Sequence, residues 1–173
     1  MFSDAEIAFL RELNRARVDF LVVGLSAAAL QGAPVVTQDV DLWFRDLSDP
    51  GIRKALRKVG GAYVAPAGSQ PPMFAGRTVN LFDIVVHMHG LGGFEEEQKR
   101  AKAVRAGTVT LRVLGLDRII ASKKAAGRPK DRLAIPVLRD ALRALSAAPP
   151  PEERWIPVKR QRVTAHVPKE RDI

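Results

Sequence analysis

Apolar residues recur at helical spacing from Ser3 to Asn14, with Ile7, Leu10 and Leu13 on one side. Ser3 precedes this stripe and Glu6 follows it by three residues, the sequence form of a capping box, so a first helix with one buried face is predicted. The pattern then shortens. Asp19 to Gly24, DFLVVG, is a compact apolar run ending on glycine, and SAAALQG beyond it is rich in helix formers. Strand, tight turn and helix are predicted, with Gly24 and Ser26 at the join. Pro34 and Thr37 close that helix and lead into a strand over DVDLWF, residues 39–44, whose aromatic and β-branched content suits a pleated surface. Pro50 to Val59 reads as an amphipathic helix with Ile52, Leu56 and Val59 inward.

Gly60 to Gly76 holds three prolines and four glycines. Beyond a short strand at Ala62 to Val64 it is expected to be loop, a candidate mobile flap. Thr78 to Met88, TVNLFDIVVHM, is the most strand-like stretch, with Asp83, Val85 and His87 on one face and Phe82, Ile84 and Val86 on the other. A polar helix is predicted over Phe94 to Val104, a strand over Thr108 to Leu114, and helices over Leu116 to Ala126 and Lys130 to Ala147. The last helix carries Leu133, Val137, Leu138, Ala141 and Leu145 as its apolar stripe, and Gly127-Arg128-Pro129 is the turn before it. After Ala148 the chain turns to proline and charge without a helical period, so 148–173 is expected to be an extended or disordered basic tail. Helices before, between and after strands predict an α/β or α+β sheet domain closed by a helical C-terminal part.

Composition narrows the partners. A chain of 173 residues with 46% hydrophobic residues supports one core and a short appendage. Lys and Arg number 28 against 19 Asp and Glu, a formal charge of +9, which attracts nucleoside triphosphates and RNA, although the basic residues are dispersed and also serve solubility. Without cysteine there is no disulfide and no thiolate metal site. The first residues are acidic and helical in spacing, and no run of about 18 apolar residues occurs, so a cytoplasmic protein with no membrane partner is expected.

Three acidic residues stand inside apolar runs. On a strand Asp39 and Asp41 share a face, roughly 6–7 Å apart, and like charges at that distance call for a partner, of which a divalent cation is the usual one. Asp83 adds a third on a later strand. An acidic strand can also be a solvated edge, but Val36 and Trp43-Phe44 surround this pair, and Asp83 by itself could pair with an arginine such as Arg77. His87, on the Asp83 face, reads as a partly buried structural histidine, and His89 carries little signal.

Gly24-Leu25-Ser26, twelve further residues, Asp39-Val40-Asp41 and then Asp83 resemble the nucleotidyltransferase superfamily related to DNA polymerase beta. A second block, VLGLDRIIASKKAAGRPKD at Val113 to Asp131, looks like the C-terminal signature of small bacterial nucleotidyltransferases, including relatives of toxins from toxin–antitoxin pairs. The resemblance covers roughly residues 1–145. It implies a mixed sheet flanked by helices, with a catalytic domain over 1–114 and a helical part over 115–147 that completes the cleft. It further implies Mg2+ or Mn2+ on Asp39, Asp41 and Asp83, an NTP as co-substrate, and a cognate antitoxin as a partner.

The chemistry accounts for each part. Attack on an α-phosphorus with loss of pyrophosphate needs several negative charges neutralised and the reactants aligned. Asp39 and Asp41 would hold the ion that grips the triphosphate, and Asp83 would complete a second metal position or take the proton from the attacking hydroxyl. Gly24 permits close backbone approach, and Ser26 offers hydroxyl and amide groups to the β- and γ-phosphates. Lys123, Lys124, Arg128 and Lys130 would reach the phosphates from the opposite wall, with Asp131 as the aspartate matching the family's C-terminal block; the same cations also suit the solvated surface of two helices. The acceptor hydroxyl stays open among the 3′ end of tRNA or another RNA, a protein side chain and a small molecule. Two other functions compete: a degenerate module that binds nucleotide or RNA, and a nucleotide-sugar glycosyltransferase, which also uses Asp-x-Asp.

Overall fold

The computed structural model describes residues 2–147, and the predicted tail lies outside them. In chain order the elements are α1 Asp4–Arg15, β1 Phe20–Val22, α2 Gly24–Leu30, β2 Val40–Phe44, α3 Pro50–Lys58, β3 Ala62–Val64 and β4 Met73–Ala75, then β5 Phe82–Val85, α4 Phe94–Arg100, β6 Lys102–Ala106, β7 Val109–Val113, α5 Leu116–Ala126 and α6 Pro129–Ala147. Five strands form a mixed sheet in the order β5-β2-β1-β7-β6. β1 runs antiparallel to β2 and parallel to β7, β2 runs parallel to β5, and β6 and β7 form an antiparallel hairpin. Phe20, Leu21 and Val22 are all buried, as a central strand covered on both faces requires.

α1 starts with the predicted capping box: the Glu6 amide donates to the Ser3 hydroxyl and the Ser3 amide to the Glu6 carboxylate. Phe9 on its buried face meets Phe74 and Phe82 edge to face, with centroids 5.5 Å and 5.0 Å apart. That contact explains the first departure from the sequence expectation. Residues 60–76 are not a free flap, because β3 and β4 pair as a hairpin and Phe74 anchors it in the core. Prolines and glycines mask so short a hairpin.

Three other boundaries moved. The helix expected through Val104 stops at Arg100 and the chain becomes β6, paired with β7. The long strand expected from Thr78 shortens to β5. On α6 the buried residues are Asp131, Ile135, Leu138 and Ala141, while Leu133 is 80% exposed and Val137 and Leu145 also face outward. The expected stripe was shifted around the helix because a buried aspartate occupies its inner face. The α5–α6 turn is as predicted: Gly127 takes φ +62 and ends α5, and Pro129 begins α6. Among the described residues no helix is long and apolar enough to cross a membrane.

Candidate active site

β1 passes into α2 through Val23 and Gly24. Gly24 has φ +63, a left-handed backbone that glycine adopts without strain, and a Cβ there would collide with Asp41 Oδ2 and stand 2.9 Å from its Cγ. The Asp41 carboxylate therefore packs on the bare turn. Ser26 is buried; its hydroxyl donates to the Val23 carbonyl at 2.9 Å and accepts from the Asp41 amide at 3.3 Å. The Val23 amide donates to the Asp41 carbonyl at 2.9 Å, so the turn grips the Asp41 backbone at both of its polar groups. The N-cap of α2 is Val23 and not Ser26, whose hydroxyl is committed to the turn and β2. Gly24→Ala is expected to destabilise the fold by ~2 kcal/mol in urea unfolding, through the positive φ and the clash with Asp41. An unchanged unfolding midpoint would contradict this packing.

Parallel register sets Asp41 directly beside Asp83 on β5. Asp39 lies just ahead of β2, outside the strand expected to contain it, and its carbonyl accepts from the Thr37 hydroxyl at 3.1 Å. Asp39 and Asp83 are exposed and Asp41 is half-buried. Burial first, then the charge of Asp83, push the Asp41 carboxyl up to about 6; Lys123 and Lys130 oppose the rise and Asp39 adds to it. Partial burial, followed by the charge of Asp39, also raises the Asp83 carboxyl. Mutual shifts of this kind mean that the three groups share one electrostatic neighbourhood. Among the described residues none of them forms an ion pair, with Arg77 or any other base.

The carboxylates are not drawn into a finished cage. No group of three or more His, Cys, Asp or Glu stands at metal-holding distance among the described residues. The donors do fit a hard divalent cation: they are carboxylate oxygens only, two of the three are exposed, and their charge is not neutralised by a neighbouring base.

Cations come from the α5–α6 hairpin. Lys123 Nζ lies 2.9 Å from Asp131 Oδ1, and Arg128 Nε donates to Asp131 Oδ2 at 2.5 Å. Asp131 is fully buried. Burial would raise its carboxyl, but the hydrogen bonds from Arg128 and Lys123 outweigh it and hold the group below the usual range. Asp131 is thus enclosed by its two cations, and any effect it has on a ligand passes through them. The charges of Lys123 and Lys130 oppose the rise of the Asp41 carboxyl, and Arg128, raised first by its hydrogen bond to Asp131, also feels the Asp41 charge. Lys124 is exposed with no ion pair among the described residues.

One structural pair had no signature in the sequence. Glu97, in the run Glu95-Glu96-Glu97, is buried, and Arg118 donates to it at 2.6 Å and 2.8 Å, fastening α4 to α5. Three consecutive glutamates gave no hint which one turns inward.

No family model and no curated protein sequence matches the chain. Solved structures do. ANT(2″)-Ia in complex with adenylyl-2″-tobramycin aligns over 80% of this chain and 86% of its own, at 14% identity and a TM-score of 0.55. The fold is nucleotidyltransferase-like. A solution structure of the antibiotic-resistance factor ANT(2″)-Ia aligns over 82% of each chain at 13% identity and a TM-score of 0.55. A nucleotidyltransferase-like protein from Paracoccidioides brasiliensis aligns over 81% of this chain and 75% of its own, at 14% identity and a TM-score of 0.51.

Within this nucleotidyltransferase-like fold a cavity of about 830 Å3 opens between the N-terminal turn of α1, α2, the loop before β2 and the β6–β7 turn. Asp39 and Ser26 line it, but Asp41, Asp83 and Lys123 do not. The acidic cluster and its facing cations, and not this cavity, carry the functional reading, because there carboxyl groups without an ion pair are raised by burial and by one another.

Proposed function

We propose that the chain is a nucleotidyltransferase that moves a nucleotidyl group from an NTP to an acceptor hydroxyl. The observation that carries this reading is the β2–β5 register, which sets Asp83 against Asp41 two residues after Asp39 on a nucleotidyltransferase-like sheet. Asp39, Asp41 and Asp83 would hold Mg2+ or Mn2+; when bound, the cation neutralises phosphate charge and aligns the triphosphate. Asp39 and Asp83 are exposed and can swing to meet the better-fixed Asp41. The acceptor oxygen bonds to the α-phosphorus, the bond to the β-bridging oxygen breaks, and pyrophosphate departs. Asp83 completes a second metal position or, uncoordinated, takes the acceptor proton. Lys123, Arg128 and Lys130 bind the triphosphate, with Asp131 holding the first two in place. Gly24 and the amides of the turn serve its closest approach.

The charge of +9 favours a polyanionic acceptor, the 3′ end of tRNA or another RNA. The neighbour bound to adenylyl-2″-tobramycin keeps a small-molecule hydroxyl as the second reading. Each α-labelled NTP, incubated with the chain, Mg2+ and in turn total RNA, total protein and tobramycin, tests both. Label on RNA is expected; label on tobramycin selects the second reading, and label on nothing removes nucleotidyl transfer. If tRNA is the acceptor, overexpression is expected to arrest growth, as for a toxin whose action a cognate antitoxin relieves.

A further inference from the structure

His87 and His89 follow β5, four and six residues beyond Asp83 and on either side of the buried Met88. His87 is exposed, which corrects the expectation of a partly buried structural histidine, and so is His89. Their rings meet edge to face, with centroids 5.3 Å apart and planes at 66°. Among the described residues every Phe, Trp and Tyr is buried or half-buried, so these imidazoles are the exposed aromatic rings. Neither is ion-paired to a carboxylate there.

The segment is pinned in place. Gly90 has φ +65, and a Cβ on it would collide with the Cβ of Ala125, so the backbone after the two histidines lies against α5 two residues beyond Lys123. The segment that bears the two rings therefore leads from the carboxylate strand β5 to α5, the helix that carries Lys123.

We propose that His87 and His89 form the platform on which the nucleobase of the donor NTP stacks. This rests on the nucleotidyl-transfer reading. Phosphates are already served by the hairpin cations and the carboxylate site; what a nucleotide site still needs is an apolar, planar surface for the base. Stacking on an aromatic ring supplies it for any base. From Asp83 to His87 the chain can span at most about 14 Å, a distance that a ribose and base, together with the reach of an imidazole side chain, can bridge from a phosphate anchored at the carboxylates.

The test is calorimetric titration of the full chain with Mg2+ and either non-hydrolysable NTP analogues of the four bases or inorganic tripolyphosphate. His87→Ala/His89→Ala is expected to weaken the analogues about tenfold and leave tripolyphosphate unchanged, and His87→Phe/His89→Phe to restore the analogues. Unaltered analogue binding in the alanine variant overturns the platform, as does rescue by His87→Lys/His89→Lys but not by phenylalanine, which would mark a phosphate contact. If the unsubstituted chain binds neither ligand, nucleotidyl transfer fails and the platform with it; if it binds both and ignores the histidine changes, the platform alone fails.

Discussion

Asp41→Asn is expected to lose on the order of 10³-fold in nucleotidyl transfer and yet to melt at a higher temperature than the unsubstituted chain in metal-free buffer. Both effects have one cause. Asp41 is half-buried on the Gly24 turn, beside Asp83 and near Asp39, and its carboxyl is raised from 3.8 to about 6. A carboxyl raised in the folded state contributes stability that is complete below its unfolded value and is lost as pH climbs through the folded one. The metal-free chain should therefore weaken between about pH 4 and pH 7, and Asp41→Asn should not share that loss. Its advantage is expected to be small near pH 4 and to reach about 1–2 kcal/mol above pH 7. Thermal melts across that range, with EDTA, check the sign. An asparagine variant that is less stable at every pH would show that the charge on Asp41 is compensated within the fold.

Asp131→Asn is the second large effect. The fully buried carboxylate holds Lys123, which is 14% exposed, and Arg128, which is 56% exposed. Removing its charge leaves Lys123 part-buried and unpaired, which is expected to destabilise the fold by ~3 kcal/mol, with little of that from the more exposed Arg128. The sign with pH is opposite to that of Asp41. A depressed carboxyl contributes stability present above its unfolded value and lost as pH falls through the folded one, so Asp131→Asn should flatten the acid limb of the stability curve. Asp131→Leu with Lys123→Met separates packing from function: stability should largely return while triphosphate binding stays weak. Recovery of both would reduce the pair to packing.

Local pattern disclosed much of this site. Asp39, Asp41 and Asp83 stand out because charge inside an apolar run is costly, and Gly24 because a strand-to-helix turn needs a residue free of Cβ. The ties between them were not legible. Ser26 stands at a strand-to-helix join in sequence, and only the fold reveals its bond to the Asp41 amide. Asp131 looks like one more charge at a helix start, and only the packing of α6 on α5 makes it an interior group. The β3–β4 hairpin escaped for a similar reason: its order depends on Phe74 reaching Phe9 across the core, a contact no local window contains. His87 failed in the opposite direction, since the strand expected to carry it ends at Val85 and nothing among the described residues covers its ring.

Convergence of three carboxylates on one cation is tested most directly by Mn2+ titration followed by electron paramagnetic resonance, with a non-hydrolysable NTP analogue present. Tight uptake by the unsubstituted chain, lost in Asp41→Asn and again in Asp83→Asn, is the expected result. Mn2+ binding that survives both substitutions would contradict it.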